Sequence, residues 1–176
     1  MGNALVGFEH KICDPAHAAR EAANLPRPIV FTNGVFDVLH RGHVTCLAEA
    51  RALGASLIVA LNSDGSVKRL GKGSDRPINP LADRLAVVAA LESTTLVTWF
   101  EGDTPLELIV SIRPDVLVKG GDWPLDEIVG AREVRAMGGS VHSIPFRFQR
   151  STSDLLERIR QSAPEREAAS SREEPA

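Results

Sequence analysis

Residues 29–53 read IVFTNGVFDVLHRGHVTCLAEARAL, and the fold is decided in this stretch. Ile29, Val30 and Phe31 form a short apolar run in which two of three residues are β-branched, the pattern of a buried strand. The run breaks at Thr32-Asn33-Gly34, where small and polar residues take over. His40-Arg41-Gly42-His43 then leads into a helical pattern. Val44, Leu47, Ala48 and Ala52 are expected on its inward face, with Gly54 as the stop. The order is strand, loop, helix. Such a loop lies at the carboxyl end of its strand, and the unsatisfied N–H groups of the helix start favour an anion there. Two imidazoles sit at the same point.

Working outward, 176 residues with 43% hydrophobic content can bury one substantial core, so one domain is expected. Its core should span residues 28–160, behind a peripheral segment 1–27 in which Asp14 caps an Ala-rich helix that starts at Pro15 and runs to about Asn24. Residues 161–176 carry no apolar periodicity and read as a disordered tail. Net charge is −3 and the isoelectric point about 6.0, which argues against a general nucleic-acid binder. No apolar run approaches the roughly 20 residues of a membrane helix. The start MGNALVGFEHK lacks the features of a secretory signal. Cys13 and Cys46 give no disulfide framework, so a cytoplasmic protein with free thiols is expected.

Further strands are expected at Leu57–Leu61, Thr95–Trp99, Asp115–Lys119 and Ser140–Ile144. Between them lie helical patterns from Asn79-Pro80 to about Leu91, with Leu81, Leu85 and Val88 inward, and from a Thr104–Glu107 capping box to about Ile112. Another runs from about Leu125 to Met137, and a last one from the Ser151-Thr152-Ser153 cap to about Arg160. Gly71–Pro77 is polar and expected to be mobile. Alternating strands and helices predict an α/β domain: a five-stranded, mainly parallel sheet with helices on both faces. Ligands of such sheets bind at the carboxyl edge, where strand order reverses.

The loops of that edge supply Thr32, Asn33, His40 and His43, then Asn62, Asp64 and Lys68, then Lys119, Gly120 and Asp122, then Arg150, Ser151 and Thr152. Cations, hydroxyls and helix starts, with few carboxylates, suit an oligophosphate. No GxGxxG follows the first strand and no GxxxxGK[ST] occurs, so neither a dinucleotide fold nor a P-loop is indicated. His40, His43 and Cys46 share the spacing of a metal set, although no fourth ligand is evident. Lys68 and Arg69 also read as a solvated face. Asp122, Ser151 and Thr152 also read as helix caps, Asp37 as a loop brace, and Trp123 equally as packing or as a substrate wall.

Thr32-Asn33-Gly34-Val35-Phe36-Asp37 followed by His40-Arg41-Gly42-His43 resembles the nucleotidyltransferase superfamily with the HxGH signature. Its members include glycerol-phosphate and choline-phosphate cytidylyltransferases and pantetheine-phosphate adenylyltransferases. Ser151-Thr152-Ser153 resembles the second signature, a Ser/Thr-rich turn opening the last helix. Within the family, Asn62-Ser63-Asp64, Lys68-Arg69-Leu70, Arg76–Pro80 and Val118–Asp122 resemble the adenylyltransferases of ADP-heptose synthesis, in their stand-alone form rather than fused to a sugar kinase. The resemblance runs from about Lys11 to Arg160.

It implies a Rossmann-like domain that transfers AMP from ATP to D-glycero-β-D-manno-heptose 1-phosphate, with pyrophosphate released, for lipopolysaccharide core synthesis. It implies catalytic roles for His40, His43 and Lys68. Thr32, Asn33, Gly34 and Phe36 would line the nucleotide phosphates, Ser151 and Thr152 would hold the β- and γ-phosphates, and Lys119, Gly120 and Asp122 would border base and ribose. Asp37, Asn62, Asp64 and Arg76 would serve the sugar phosphate. Mg²⁺ would arrive with ATP, the protein itself providing no metal site. The expected partners are ATP and the sugar phosphate, with neither nucleic acid nor membrane, in a homo-oligomer such as a dimer. Another sugar- or polyol-phosphate nucleotidyltransferase, such as a glycerol-phosphate cytidylyltransferase, and a non-catalytic nucleotide-binding domain are the alternatives.

Overall fold

The computed structural model describes residues 7–71, 76–148 and 152–162. Five strands form one sheet: β1 (Ile29–Gly34), β2 (Ser56–Asn62), β3 (Leu96–Phe100), β4 (Val116–Gly120) and β5 (Ser140–Ile144), in the order β3-β2-β1-β4-β5. Every pairing is parallel. The helices are α1 (Pro15–Ala23), α2 (Arg41–Arg51), α3 (Asp64–Arg69), α4 (Leu81–Ala89), α5 (Leu106–Ile112), α6 (Ala131–Ala136) and α7 (Thr152–Ser162). None of them is long and apolar enough to cross a membrane.

Alternation along the strands divides the core in two. Ile29, Phe31, Ile58, Ala60 and Leu117 face α1, α5 and α6, while Val30, Leu57, Val59, Leu61 and Val118 face α2 and α4. Burying a side chain of this size contributes roughly 1.5–3 kcal/mol, so the two faces together dominate the stabilisation. From β1 the chain winds outward to β3, then crosses back to add β4 on the other side of β1. The order therefore reverses between β1 and β4, and a crevice opens above their carboxyl ends.

Several local expectations meet a competing force. β1 continues through Thr32, Asn33 and Gly34, because all three pair with Val59–Leu61 of β2; a backbone ladder needs no apolar side chain. On α2 the buried residues are Gly42, Cys46, Leu47 and Ala50, and Val44 is 42% exposed, so of the expected inward face only Leu47 is inside. The helix phase is set by its entry: a Cβ on Gly42 would lie 3.0 Å from the His40 ring and 3.2 Å from the Phe148 carbonyl. The Thr104–Glu107 capping box does not form, since α5 starts after Pro105 with no side-chain cap. The expected 125–137 helix is broken into a 3₁₀ turn, Leu125–Glu127, and α6. Gly130 breaks it with φ +88°, and its bare Cα admits the Ile109 side chain, which would stand 2.7 Å from a Cβ. The Asp14 cap does form, accepting from the Ala16 N–H at 2.8 Å. α7 runs to Ser162, two residues into the expected tail; residues 163–176 lie outside the described residues.

Candidate active site

A cavity of about 400 Å³ fills the crevice between β1 and β4. Its floor is the Thr32–Asp37 backbone, one wall is His40 and His43 at the start of α2, and the other is Lys119, Gly120, Trp123 and Phe146. His40 precedes α2 and offers no side-chain cap, and the His43 and Val44 N–H groups donate to its carbonyl at 3.0 and 3.3 Å. The two imidazoles stack, with centroids 3.9 Å apart and planes 20° apart. Phe36 meets His43 edge-on at 5.5 Å and Phe146 meets it at 6.3 Å, so aromatic rings hold the pair from two sides. Phe36 itself has φ +48°, a conformation that bulky residues rarely adopt, and its ring lies 2.9 Å from where a Gly34 Cβ would stand. Gly34 is small because the strained Phe36 folds back over it.

On the β4 side, Gly120 leaves room for Cys46 and Phe146, each 3.0 Å from its would-be Cβ. Trp123 is 49% exposed yet fixed: its indole N–H donates to the Gly120 carbonyl at 3.2 Å and its backbone N–H to Ser143 Oγ at 3.0 Å. The Lys119 ammonium lies 5.9 Å from the Trp123 ring centroid. Burial first, then the Glu49 charge, pushes the Cys46 thiol up to about 11, so it faces the cavity as a neutral thiol. Among the described residues no three His, Cys, Asp or Glu side chains are grouped to hold a metal ion.

A second cavity, of about 330 Å³, adjoins the first. The two share Asn33, Gly34, Val35, Lys119 and Trp123, and the second extends toward Asn62, Phe100, Thr104 and Ile128. A strap after β5 closes the far side of the first. Arg147 pairs with Glu49 of α2 at 2.5 Å, and the Arg41 guanidinium lies 3.8 Å over the Phe148 ring.

Beneath the floor runs a buried ionic scaffold. The Asp37 carboxylate is 4% exposed and accepts from Arg76 Nε at 2.6 Å, Ile78 N at 2.9 Å and Asn79 N at 2.8 Å. Arg84 of α4 is 1% exposed and donates four hydrogen bonds, to the carbonyls of Asn79 (3.0 Å), Val35 (2.8 Å) and Asn62 (2.9 Å) and to Asp64 Oδ1 (2.6 Å). Asp64 also accepts from Leu81 N, and Asn62 Nδ2 donates to Ser66 Oγ. A buried charge pair of this kind persists only when its other lone pairs are also taken, and both Asp37 oxygens accept backbone N–H groups, Oδ2 from Ile78 and Oδ1 from Asn79.

The structure thus gathers Thr32, Asn33, Gly34, Phe36, Asp37, His40, His43, Arg76, Lys119 and Gly120 on the first cavity and Asn62 on the second. Asp64 lines neither of these cavities and instead holds Arg84. Lys68, on the last turn of α3, and Asp122 are exposed and line neither. Ser151 and Arg150 lie outside the described residues, as does the side chain of Thr152. Sequence reading missed Arg84 and Phe146, while Trp123, which reads equally as packing or as a wall, lines both cavities. The signal for Arg84 was present: position 84 falls between Leu81, Leu85 and Val88 on the inward stripe of α4, where a charge needs buried partners.

A cytidylyltransferase-like family model matches residues 31–172. The D-beta-D-heptose 1-phosphate adenylyltransferase of Bordetella bronchiseptica is 56% identical over 156 residues, which is 88% of this chain and 96% of that protein. The bifunctional protein HldE of Edwardsiella ictaluri is 52% identical over 144 residues, covering 82% of this chain but 30% of that protein. Among solved structures, the lipopolysaccharide core biosynthesis protein from Thermoplasma volcanium is 27% identical with a TM-score of 0.56, over 67% of this chain and 94% of that one. A pantoate-beta-alanine ligase from Francisella tularensis has the same TM-score of 0.56 at 14% identity and shares the fold alone. Matched over most of its length, and more than half identical to a relative along nearly all of it, the chain belongs to the cytidylyltransferase-like family.

Proposed function

We propose that this chain is a heptose 1-phosphate adenylyltransferase, which joins the AMP of ATP to a D-β-D-heptose 1-phosphate and releases pyrophosphate. The observation that carries the substrate is its 56% identity, across 96% of the partner sequence, to a protein bearing that name. The reaction class is supported by the stacked histidines at a helix start, facing a cavity where the strand order reverses.

The chemistry asks little of a base. A sugar phosphate has its second pKa near 6 and is already an anion at neutral pH. One of its oxygens attacks the α-phosphorus of ATP, the bond to the β-phosphate oxygen breaks, and pyrophosphate leaves with the electron pair. Catalysis is then positioning and charge stabilisation. In this reading His40 and His43, at the start of α2, face the charge that develops at the α-phosphorus. The backbone of Thr32, Asn33, Gly34 and Phe36 lies along the phosphates, and Ser151 and Thr152 take their far end. Lys119 and Gly120 border base and ribose, while Asp122 and Lys68, exposed and outside both cavities, would approach only with substrate bound. Asp37 and Arg76 wall the nucleotide cavity, while Asn62 and Lys119 meet the sugar phosphate arriving through the second. Magnesium enters as part of the ATP substrate. The donors on the cavity are imidazoles, an ammonium and N–H groups, and the Asp37 carboxylate is occupied by Arg76, a set suited to phosphate oxygens that bring their own cation. The product, ADP-heptose, feeds lipopolysaccharide core synthesis.

Competition decides it. With equal ATP and CTP, Mg²⁺ and mannoheptose 1β-phosphate, mass analysis should find ADP-heptose in excess. Hydrogen bonds near Gly120–Trp123 that suit adenine leave cytosine unpaired at about 1–3 kcal/mol, a preference of roughly tenfold to a hundredfold. A dominant CDP-sugar, or activity with glycerol phosphate alone, overturns the substrate assignment. No pyrophosphate from any pair overturns the enzyme.

A further inference from the structure

Arg84 lies outside both cavities, yet its guanidinium is joined to the ridge between them. Its Nη1 donates to the carbonyls of Val35 and Asn62 at 2.8 and 2.9 Å. Val35 borders both cavities and Asn62 borders the second. The residue after Val35 is Phe36, whose left-handed backbone sets the ring that meets His43. Two further bonds, to Asn79 O and Asp64 Oδ1, fix the guanidinium plane, and at 1% exposure water does not compete for it. One rigid fork therefore ties the β1 loop, the end of β2 and the segment entering α4 together.

We propose that Arg84 is a positioning residue for the transfer step: it sets the separation of the two cavities, and with it the alignment of the attacking phosphate with the α-phosphorus. This rests on the adenylyltransferase reading, in which the two substrates meet over the Gly34–Val35 ridge. A planar fork with several donors suits this task; a lysine ammonium is a point charge that cannot span the same carbonyls in fixed geometry. A ridge displaced by a fraction of an ångström leaves each substrate its own cavity but spoils their approach, so the penalty falls on kcat rather than on binding.

The test compares Arg84→Lys and Arg84→Met with the wild-type chain by pyrophosphate release under saturating substrates, ATP binding by titration calorimetry without sugar, and thermal melts. Folded Arg84→Lys should lose about tenfold to a hundredfold in kcat, Arg84→Met more, with the ATP Kd moved less than about threefold. If Arg84→Lys does not fold, Asp64→Asn, which loosens one of the four bonds, carries the test. It should lower kcat roughly threefold to tenfold with the KM for sugar phosphate unchanged. A folded variant with wild-type kcat, or one whose loss matches a weakened ATP Kd, overturns the proposal. A wild-type chain inactive with every substrate pair overturns the functional reading instead.

Discussion

Replacing Gly42 with alanine should cost activity while leaving stability nearly unchanged. The added Cβ would stand 3.0 Å from His40 Cε1 and Nδ1 and 3.2 Å from the Phe148 carbonyl oxygen. Ordinary contacts between such atoms are about 3.5–4.0 Å, so the shortfall is roughly 0.5–1 Å. Phe148 O is backbone and belongs to the strap held by Arg147 on Glu49 and by Arg41 on the Phe148 ring, so the side that yields is the His40 ring. That ring then slides from its stack on His43, at 3.9 Å, and from the phosphates it would serve in the proposed reaction. A misplacement of about 1 Å costs on the order of 10²-fold, so a tenfold to hundredfold fall in kcat is expected. Stability moves the other way. Alanine is favoured over glycine in a helix by up to about 1 kcal/mol, which offsets the strain, so the melting temperature should stay within about 4 °C of wild type. The assay is steady-state pyrophosphate release with ATP and heptose 1-phosphate, beside a thermal melt. A kcat within about twofold of wild type in a folded variant would show that the position of His40 does not govern the reaction. A melt lowered far beyond that margin would refute the assignment of the strain to His40.

Three more outcomes are expected. His43→Ala should lower kcat on the order of 10²-fold or more with a small change in melting temperature; normal turnover in the folded variant would remove His43 from the mechanism. Asp37→Ala strands the buried Arg76 guanidinium, which is 8% exposed, and should cost about 3–5 kcal/mol in urea unfolding; a cost under about 1 kcal/mol would mean the pair is dispensable. Burial works to raise the Asp115 carboxyl, but the Arg27 guanidinium and the Ile29 N–H outweigh it and hold it below its ordinary value. A carboxyl depressed on folding contributes stability above its unfolded pKa of about 3.9 and loses it as the pH falls through its folded value. The urea midpoint of Asp115→Asn should therefore fall less than that of wild type as the pH drops from about 5 to below 3, and parallel profiles would contradict this.

The alternation of apolar runs with helical stripes was enough to give this chain its class, because a parallel sheet must be covered on both faces and its strands read as continuous apolar runs. The order strand, loop, helix likewise placed His40 and His43 at a helix start on the carboxyl edge, a consequence of local chain direction alone. Resemblance then supplied the chemistry, and the family match agrees with it. What needed the tertiary structure was phase and partnership. α2 turns Ala50 inward rather than Ala48 and Ala52, because the close approach at Gly42 fixes its rotation and the weak apolar stripe does not. The 125–137 pattern splits at Gly130 because Ile109 of another helix occupies the space of its missing side chain. Asp64 and Arg76 look in sequence like ligands reaching for a substrate, yet each is held in an ion pair that sequence distance conceals, whereas Asp37 accepts the Ile78 and Asn79 N–H groups as its reading as a loop brace expects. Arg84 stands on an otherwise apolar stripe, which marks it for burial, and only the fold shows the three carbonyls and the carboxylate around it. Period and direction are local properties of a chain; the rotation of a helix and the partner of a buried charge are set by residues far away in sequence, and these decide how the two cavities meet.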